Sequence, residues 1–167
     1  MAKAWLMMGG NSGDVASAMA RAIQILGERA GRVVAASRIY RTAAWGFEAD
    51  DFLNQALEIE TRLSPDELLE AVQEAEREAG RDRTAEADEK IRTGQRYASR
   101  PIDIDIIMYD DAVVETERLV IPHRAMAERL FVLEPLAEIA PDKRHPITGA
   151  TVAGMLLQLK EKGDTQQ

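Results

Sequence analysis

Two aspartates in the second half of the chain have the type and spacing of a metal-binding pair. Asp103 and Asp105 alternate with Ile102, Ile104 and Ile106, and successive side chains of a β-strand point to opposite faces. The isoleucines would enter the core while both carboxylates share the other face, with their Cα atoms roughly 6.6 Å apart. Such a pair can bracket one magnesium ion or two. The alternative is an exposed strand face that carries two solvated acids.

An arginine-rich segment precedes the two aspartates. We expect residues 81–101 to form a long mobile loop, and loops longer than about 15 residues are uncommon without a functional reason. Arginine side chains bind phosphate oxygens in a bidentate manner and neutralise charge that develops during phosphoryl transfer. Beside a magnesium site, they indicate a nucleotide phosphate chain, although a solvated charged loop remains the alternative. The basic residues of this segment are Arg81, Arg83, Lys90, Arg92, Arg96 and Arg100.

Aromatic residues are concentrated in one short stretch. Only 5% of the residues are aromatic, yet Tyr40, Trp45, Phe47 and Phe52 fall within thirteen positions. Asn54 follows Phe52 by two residues and would share its strand face. An aromatic ring beside an amide that donates and accepts hydrogen bonds suits a flat heterocycle. In the alternative, Phe52 belongs to the core and Asn54 is a solvated polar group.

Composition excludes several classes of protein. The 167 residues include no cysteine, which excludes disulfides, cysteine-ligated metals and thiol nucleophiles. The net charge of −8 argues against a general nucleic-acid binder, so a polyanionic substrate would need a local cationic site. No apolar run has membrane-spanning length and no signal peptide is evident, so we expect a cytoplasmic monomer. We expect one domain over residues 1–162, followed by a frayed tail at 163–167.

The hydrophobic pattern predicts the elements that position these residues. We predict strands at Ala4–Met8, Val33–Thr42, Phe52–Thr61 and Ile102–Tyr109, a short ribbon at Val113–Val120, and helices at 15–30, 65–79, 122–139 and 152–160. Ser64, Pro65 and Glu67 form a capping box at the start of the second helix. This order predicts a ferredoxin-like α+β fold, in which a βαββαβ antiparallel sheet has helices on one face and a helical C-terminal extension.

The ordered motifs of the chain resemble the 6-hydroxymethyl-7,8-dihydropterin pyrophosphokinase family of folate biosynthesis. The most specific block is Arg96-x-Ala98-Ser99-Arg100-x-x-Asp103-Ile104-Asp105-Ile106-Ile107. Supporting blocks follow the family's order over nearly the whole chain. They include Gly9-Gly10-Asn11, Tyr40-Arg41-Thr42, Phe52-Leu53-Asn54, Glu76 with Gly80-Arg81, Glu117-Arg118-Leu119, Ile121-Pro122-His123 and the segment Pro135 to Pro141.

The resemblance implies an enzyme that transfers the terminal diphosphate of ATP to the pterin hydroxymethyl group and releases AMP. It implies two Mg²⁺ ions on Asp103 and Asp105, and an assisting role in transfer for Arg81 and Arg100. The residues implied at ATP are Glu76, Arg83, Arg100, Arg118 and His123. Those implied at the pterin are Thr42, Trp45, Phe52, Asn54 and Phe131, with the rings of Phe52 and Phe131 on either side of it.

Two other functions are compatible with the residues alone. A nucleotidyltransferase could use the same aspartate pair, and it would release pyrophosphate instead of AMP. A non-catalytic ferredoxin-like binding module could use the arginine-rich segment as an interaction arm.

Overall fold

A five-stranded antiparallel sheet forms the centre of the molecule, and the computed structural model describes residues 1–42, 51–81, 83–94 and 101–165. Its strands are β1 (Ala2–Gly10), β2 (Gly31–Ala36), β3 (Tyr40–Thr42), β4 (Phe52–Thr61) and β5 (Asp103–Tyr109). Their order is β2-β4-β1-β5, with β3 paired to the other end of β4. This is the strand order of the predicted ferredoxin-like fold. A separate ribbon joins β6 (Val114–Glu115) to β7 (Val120–Ile121), as the sequence indicated.

Helices cover both faces of the sheet, whereas the sequence-based prediction placed them on one. Helices α1 (Val15–Arg29) and α2 (Pro65–Glu78) pack on the face that buries alternate residues of β1, β4 and β5. Helices α4 (Leu130–Ile139) and α5 (Val152–Thr165) pack on the other face. Trp5, Met7 and Ala56 are buried beneath them. The C-terminal extension therefore supplies the second hydrophobic layer of the fold.

The capping box at the start of α2 forms as predicted. The Glu67 backbone N–H donates to the Ser64 hydroxyl, and the Ser64 N–H donates to the Glu67 carboxylate. Pro65 occupies the first helical position. These contacts fix where α2 begins, and its length then places Glu76 and the following Arg81 beside β5.

The arginine-rich segment is not a continuous loop. Residues Arg83–Thr93 form helix α3, and the prediction of a loop over 81–101 was wrong for these residues. Ala, Glu, Lys and Arg favour helix intrinsically, but the segment lacks a broad apolar stripe, so hydrophobic periodicity does not reveal it. Ile91, which is 82% exposed, illustrates the polar, weakly packed character of this helix.

The predicted strand Val33–Thr42 is divided into β2 and β3. Ala36 pairs with Leu57 of β4, and Tyr40 pairs with Asn54 of the same strand. Residues 37–39 therefore lie opposite residues 55–56, so the segment between β2 and β3 carries one extra residue. Ser37 lies at the edge of this bulge, where its N–H donates to the Ala56 carbonyl oxygen and its hydroxyl accepts from the Ala56 N–H, both at 2.9 Å. Bulges of this kind re-aim the following residues, which here include Thr42.

The C-terminal helix is longer than predicted. It runs to Thr165, past Lys160, and so includes residues 163–165 of the segment expected to be frayed. Among the helices that the structure describes, none combines the length and the hydropathy that crossing a membrane would need.

Candidate active site

Asp103 and Asp105 share one face of β5, as their spacing predicts. Their partners on β1 are Gly9 and Met7, and Met7 is buried under the α4–α5 layer. Ile102, Ile104 and Ile106 are buried in the core on the α1–α2 side. The Asp103 side chain is 29% exposed and that of Asp105 is 45% exposed. Both carboxylates are therefore accessible from one side of the sheet.

The register of three strands aligns Asp103 with Asn54. Gly9 of β1 lies between them, because it pairs with Asn54 of β4 on one side and with Asp103 of β5 on the other. Directly paired residues of a sheet point to the same face, and neighbouring strands are about 4.8 Å apart. The two side chains are thus carried on one face by Cα atoms about 10 Å apart. This row connects the predicted metal site with the predicted pterin site.

Gly9 leaves the room that Asn54 occupies. A Cβ atom at position 9 would lie 2.8 Å from the Asn54 Oδ1 atom and 3.2 Å from the Leu53 carbonyl oxygen. A side chain here would force Asn54 out of its position. The glycine is needed for close approach of an amide, which accounts for the first residue of the Gly9-Gly10-Asn11 motif at the end of β1.

The predicted pterin residues lie at the same end of the sheet. Asn54 is buried, and its Nδ2 atom donates to the Thr42 hydroxyl at 3.2 Å. Phe52 pairs with Thr42 across β3 and β4 and is half-buried. Phe131 lies in the first turn of α4, which packs against both of these strands, and it is 38% exposed. The exposed ring and the amide–hydroxyl pair fit a flat polar heterocycle.

A buried ion network connects α2 to Asp103. The Nη1 atom of Arg81 donates to Glu76 Oε2 at 2.7 Å and to Asp103 Oδ1 at 2.8 Å. Glu76 Oε2 also accepts from the Ile104 backbone N–H at 2.9 Å. Burial raises the pKa of the Glu76 carboxyl, against the opposing effects of the Ile104 N–H and of the Arg81 guanidinium. Arg81 and Asp103 were predicted as separate site residues, and the structure brings them into contact.

His123 approaches the other aspartate. Its Nε2 atom lies 4.0 Å from Asp105 Oδ2, and its backbone N–H donates to the Ile107 carbonyl of β5. Its Nδ1 atom accepts from the Ala125 N–H at 3.2 Å, which assigns the ring proton of the neutral form to Nε2. Burial lowers the pKa of His123, and the nearby Arg129 adds to this effect while Asp103 opposes it. A neutral imidazole therefore offers an N–H on the side of Asp105.

Sequence reasoning missed Arg129. Its guanidinium lies 5.5 Å from the centre of the Phe131 ring, and its charge acts on His123. Arg129 thus connects the predicted pterin residue with the predicted nucleotide residue. Its position two residues before Phe131 was the available signal.

The remaining predicted site residues either lie away from the two aspartates or fall outside the residues that the structure describes. Arg118 is exposed in the turn between β6 and β7. Of Arg83, only the backbone at the start of α3 is described. Trp45 and Arg100 lie outside the described residues, as do Arg96 and the rest of the motif up to Arg100.

The described residues fit a divalent cation that is held partly by substrate. Nowhere in the described ranges do three or more His, Cys, Asp or Glu side chains come together as a possible metal cage. Mg²⁺ is commonly bound by one or two carboxylates together with substrate phosphates and water. Two accessible carboxylates on one strand face match this kind of site.

Comparison with known proteins identifies the family. The model of the 7,8-dihydro-6-hydroxymethylpterin-pyrophosphokinase (HPPK) family matches residues 5–141. The chain belongs to this family. A 2-amino-4-hydroxy-6-hydroxymethyldihydropteridine pyrophosphokinase of Methylorubrum extorquens is 45% identical over 165 residues, which cover 98% of this chain and 97% of that protein. The Bacillus subtilis protein of the same name is 41% identical over 149 residues, or 88% of this chain and 83% of that one.

Solved structures support the fold of the pyrophosphokinase. A Plasmodium falciparum HPPK-DHPS structure superposes with a TM-score of 0.78 at 13% identity and covers 99% of this chain. This chain spans 44% of that longer chain, and at 13% identity the likeness concerns the fold alone. The predicted ferredoxin-like α+β fold is confirmed. At the level of the family, the predicted enzyme is confirmed too: an ATP-dependent pyrophosphokinase for 6-hydroxymethyl-7,8-dihydropterin in folate biosynthesis.

Proposed function

We propose that diphosphate transfer from ATP to the pterin takes place on the sheet face that carries Asn54, Gly9 and Asp103. The supporting observation is the strand register, which places an amide suited to the pterin and a carboxylate suited to a metal ion in one row. The hydroxymethyl oxygen attacks the β-phosphorus of ATP, the bond from that phosphorus to the α–β bridging oxygen breaks, and AMP leaves. The hydroxyl proton is released to solvent.

In this proposal, Asp103 and Asp105 hold Mg²⁺ together with the ATP phosphates. The bound ions neutralise phosphate charge and thereby favour attack at phosphorus. The number of ions expected from the family resemblance is two. Positioning and charge neutralisation carry most of the catalysis in phosphoryl transfer, so no protein nucleophile is required.

Thr42, Phe52, Asn54 and Phe131 form the proposed pterin site. Asn54 is already oriented by the Thr42 hydroxyl, so its amide presents its remaining hydrogen-bonding capacity to the heterocycle. Phe52 and Phe131 supply ring faces for stacking. Trp45 is proposed here from sequence alone.

Arg81, Arg83, Arg100, Arg118 and His123 are proposed to act on the phosphate chain and the nucleotide. His123 is supported by its distance of 4.0 Å from Asp105. Arg81 is supported by its contact with Asp103, and the other arginines rest on the family resemblance. We further propose a single domain over residues 1–162 that acts as a cytoplasmic monomer without nucleic-acid partners. The net charge of −8 supports the last of these points, because nucleic-acid binders are normally basic.

Separation of the nucleotide products tests this function. The purified chain is incubated with ATP and Mg²⁺, with and without 6-hydroxymethyl-7,8-dihydropterin. We expect AMP to form only when the pterin is present. Release of ADP would indicate transfer of a single phosphate, and release of pyrophosphate would indicate a nucleotidyltransferase; either product would contradict the proposal.

A further inference from the structure

The end of α2 is fastened to β5 through a buried carboxylate. The Glu76 side chain is 3% exposed, and its Oε2 atom accepts from both Arg81 Nη1 and the Ile104 N–H. Ile104 lies between the two aspartates on β5, which is the last strand in the order of the sheet. Glu76 therefore fixes both a cation and the backbone from which the aspartates project.

Arg81 is held at both ends. Its backbone N–H donates to the Glu76 carbonyl oxygen at 2.9 Å and so terminates α2. Its side chain is 6% exposed, and its guanidinium contacts two carboxylates, those of Glu76 and Asp103. A desolvated cation needs anionic partners, and this one has an anionic partner on each of two elements.

The contact with Arg81 uses the carboxylate that is proposed to bind a divalent cation. Asp103 Oδ1 accepts from Arg81 at 2.8 Å, and a metal ion bound to the same carboxylate would be repelled by the guanidinium and would compete with it for lone pairs. Glu76 is not a proposed metal ligand, so its contact with Arg81 is not subject to this competition.

We propose that Arg81 is an internal counter-ion that occupies Asp103 in the metal-free chain and that releases Asp103, while it keeps its contact with Glu76, when a divalent cation binds. Glu76 is then a positioning residue that acts through Arg81 and Ile104 instead of a residue that touches ATP. The proposal rests on the proposed function, because it takes Asp103 as a metal ligand. This role explains why the buried carboxylate of Glu76 lies next to a site that is proposed to bind several negatively charged phosphates.

The two substitutions at this network should change metal affinity in opposite directions. The probe is Mn²⁺ added to the full chain without nucleotide, with free Mn²⁺ measured by electron paramagnetic resonance. Arg81→Gln removes the competing charge, so we expect it to bind Mn²⁺ about fivefold tighter or more. Glu76→Gln removes the carboxylate that draws Arg81 away from Asp103, so we expect binding about fivefold weaker.

A double variant separates action through Arg81 from a direct effect of the Glu76 charge. In the Arg81→Gln background, Glu76→Gln should change Mn²⁺ affinity by less than about twofold, because the residue through which it acts is gone. Glu74→Gln is the matched control, since Glu74 lies on the same helix and pairs with Arg77 and Arg29 at the surface. It should leave the Mn²⁺ affinity unchanged.

Three outcomes would overturn the proposal. Arg81→Gln could bind Mn²⁺ no tighter than the wild type, Glu76→Gln could weaken binding equally in both backgrounds, or Arg81→Lys could match Arg81→Gln although it keeps the charge. If Glu76→Gln does not fold, as judged by circular dichroism, the two Arg81 variants decide the question. An Asp103→Asn variant in the same assay distinguishes failure of this proposal from failure of the proposed function. If Asp103→Asn leaves Mn²⁺ binding unchanged, the metal assignment of the proposed function fails as well.

Discussion

Asp103 and Asp105 occupy equivalent positions on one strand face but have different neighbours. Asp103 contacts a guanidinium that is itself buried, whereas Asp105 is more exposed and lies near an imidazole. The fixed cation beside Asp103 already neutralises part of its charge, whereas the neutral imidazole near Asp105 contributes no charge of its own. The two residues are therefore expected to contribute differently to metal affinity, although both are proposed to act at the phosphates.

Replacement of either carboxylate should stop turnover. We expect Asp103→Asn and Asp105→Asn each to lower kcat about 100-fold or more, because charge neutralisation at the phosphates is lost. Asp111→Asn is the control, since Asp111 is 88% exposed and contacts Lys143 instead of the site. AMP formation gives the rate, and circular dichroism checks the fold. Full activity in either variant, with Mg²⁺ still required, would refute the metal assignment.

His123 should be neutral at pH values where an exposed histidine is charged. Its pKa lies below the ordinary value of 6.5 because of burial and the charge of Arg129. As the pH falls below 6.5, the unfolded chain takes up the proton first, so folding stability decreases until the pH passes the folded-state pKa. The stabilising contribution is fully present above 6.5.

Nuclear magnetic resonance can follow this titration directly. The chain contains two histidines, so a single His145→Asn variant assigns both imidazole signals. Burial lowers the pKa of His145 as well, and both signals should titrate below 6.5. If His123 titrated above that value, the Asp105 carboxylate would dominate its environment and the neutral imidazole would be ruled out.

At the scale of elements, a polar contact fastens β3 to α4. The Tyr40 hydroxyl donates to Glu138 Oε1 at 2.7 Å, and the Arg38 backbone N–H donates to Glu138 Oε2 at 3.0 Å. Strand β3 carries Thr42, and α4 carries Phe131 in its first turn. The contact thus holds together two elements that supply opposite parts of the proposed pterin site.

Loss of this contact should weaken pterin binding selectively. We expect Tyr40→Phe to raise KM for the pterin a few-fold, since a net hydrogen bond to a charged group contributes about 1.5–3 kcal/mol, part of which water replaces at an exposed site. KM for ATP should stay unchanged. Tyr109→Phe is the matched control, because it removes a hydroxyl that donates to the Leu63 carbonyl at 2.7 Å, outside the proposed site. Equal effects of both variants on the pterin KM would argue against the fastening role.

The sequence predicts an element well when its signals are local. Ser64, Pro65 and Glu67 predict where helix α2 begins. The strict alternation of aspartate with isoleucine predicts that Asp103 and Asp105 share one face of β5. Helix α3 escaped prediction because its polar residues give no apolar stripe. The bulge at Ser37 depends on pairing with β4, and the contact of Arg81 with Asp103 depends on where α2 ends against β5. Such long-range relations are set by packing, not by neighbouring residues.

At the scale of the whole molecule, the fold brings the two proposed substrate sites to one face by pairing strands that are distant in sequence. Asn54 and Asp103 are separated by 49 positions, yet Gly9 joins them in one row. Helices α4 and α5 then cover part of that face and supply Phe131. The strand order was predictable, whereas the side on which the C-terminal helices pack was not, because their apolar stripes fit either face.

The fate of the β-phosphorus of ATP tests the central claim most directly. The chain is incubated with Mg²⁺, the pterin and ATP that carries radioactive phosphorus at the β position, and the products are separated. We predict that the label moves to the pterin and that the AMP formed is unlabelled. Label that remained in ADP, or that was released as free pyrophosphate in a reaction dependent on the pterin, would contradict diphosphate transfer.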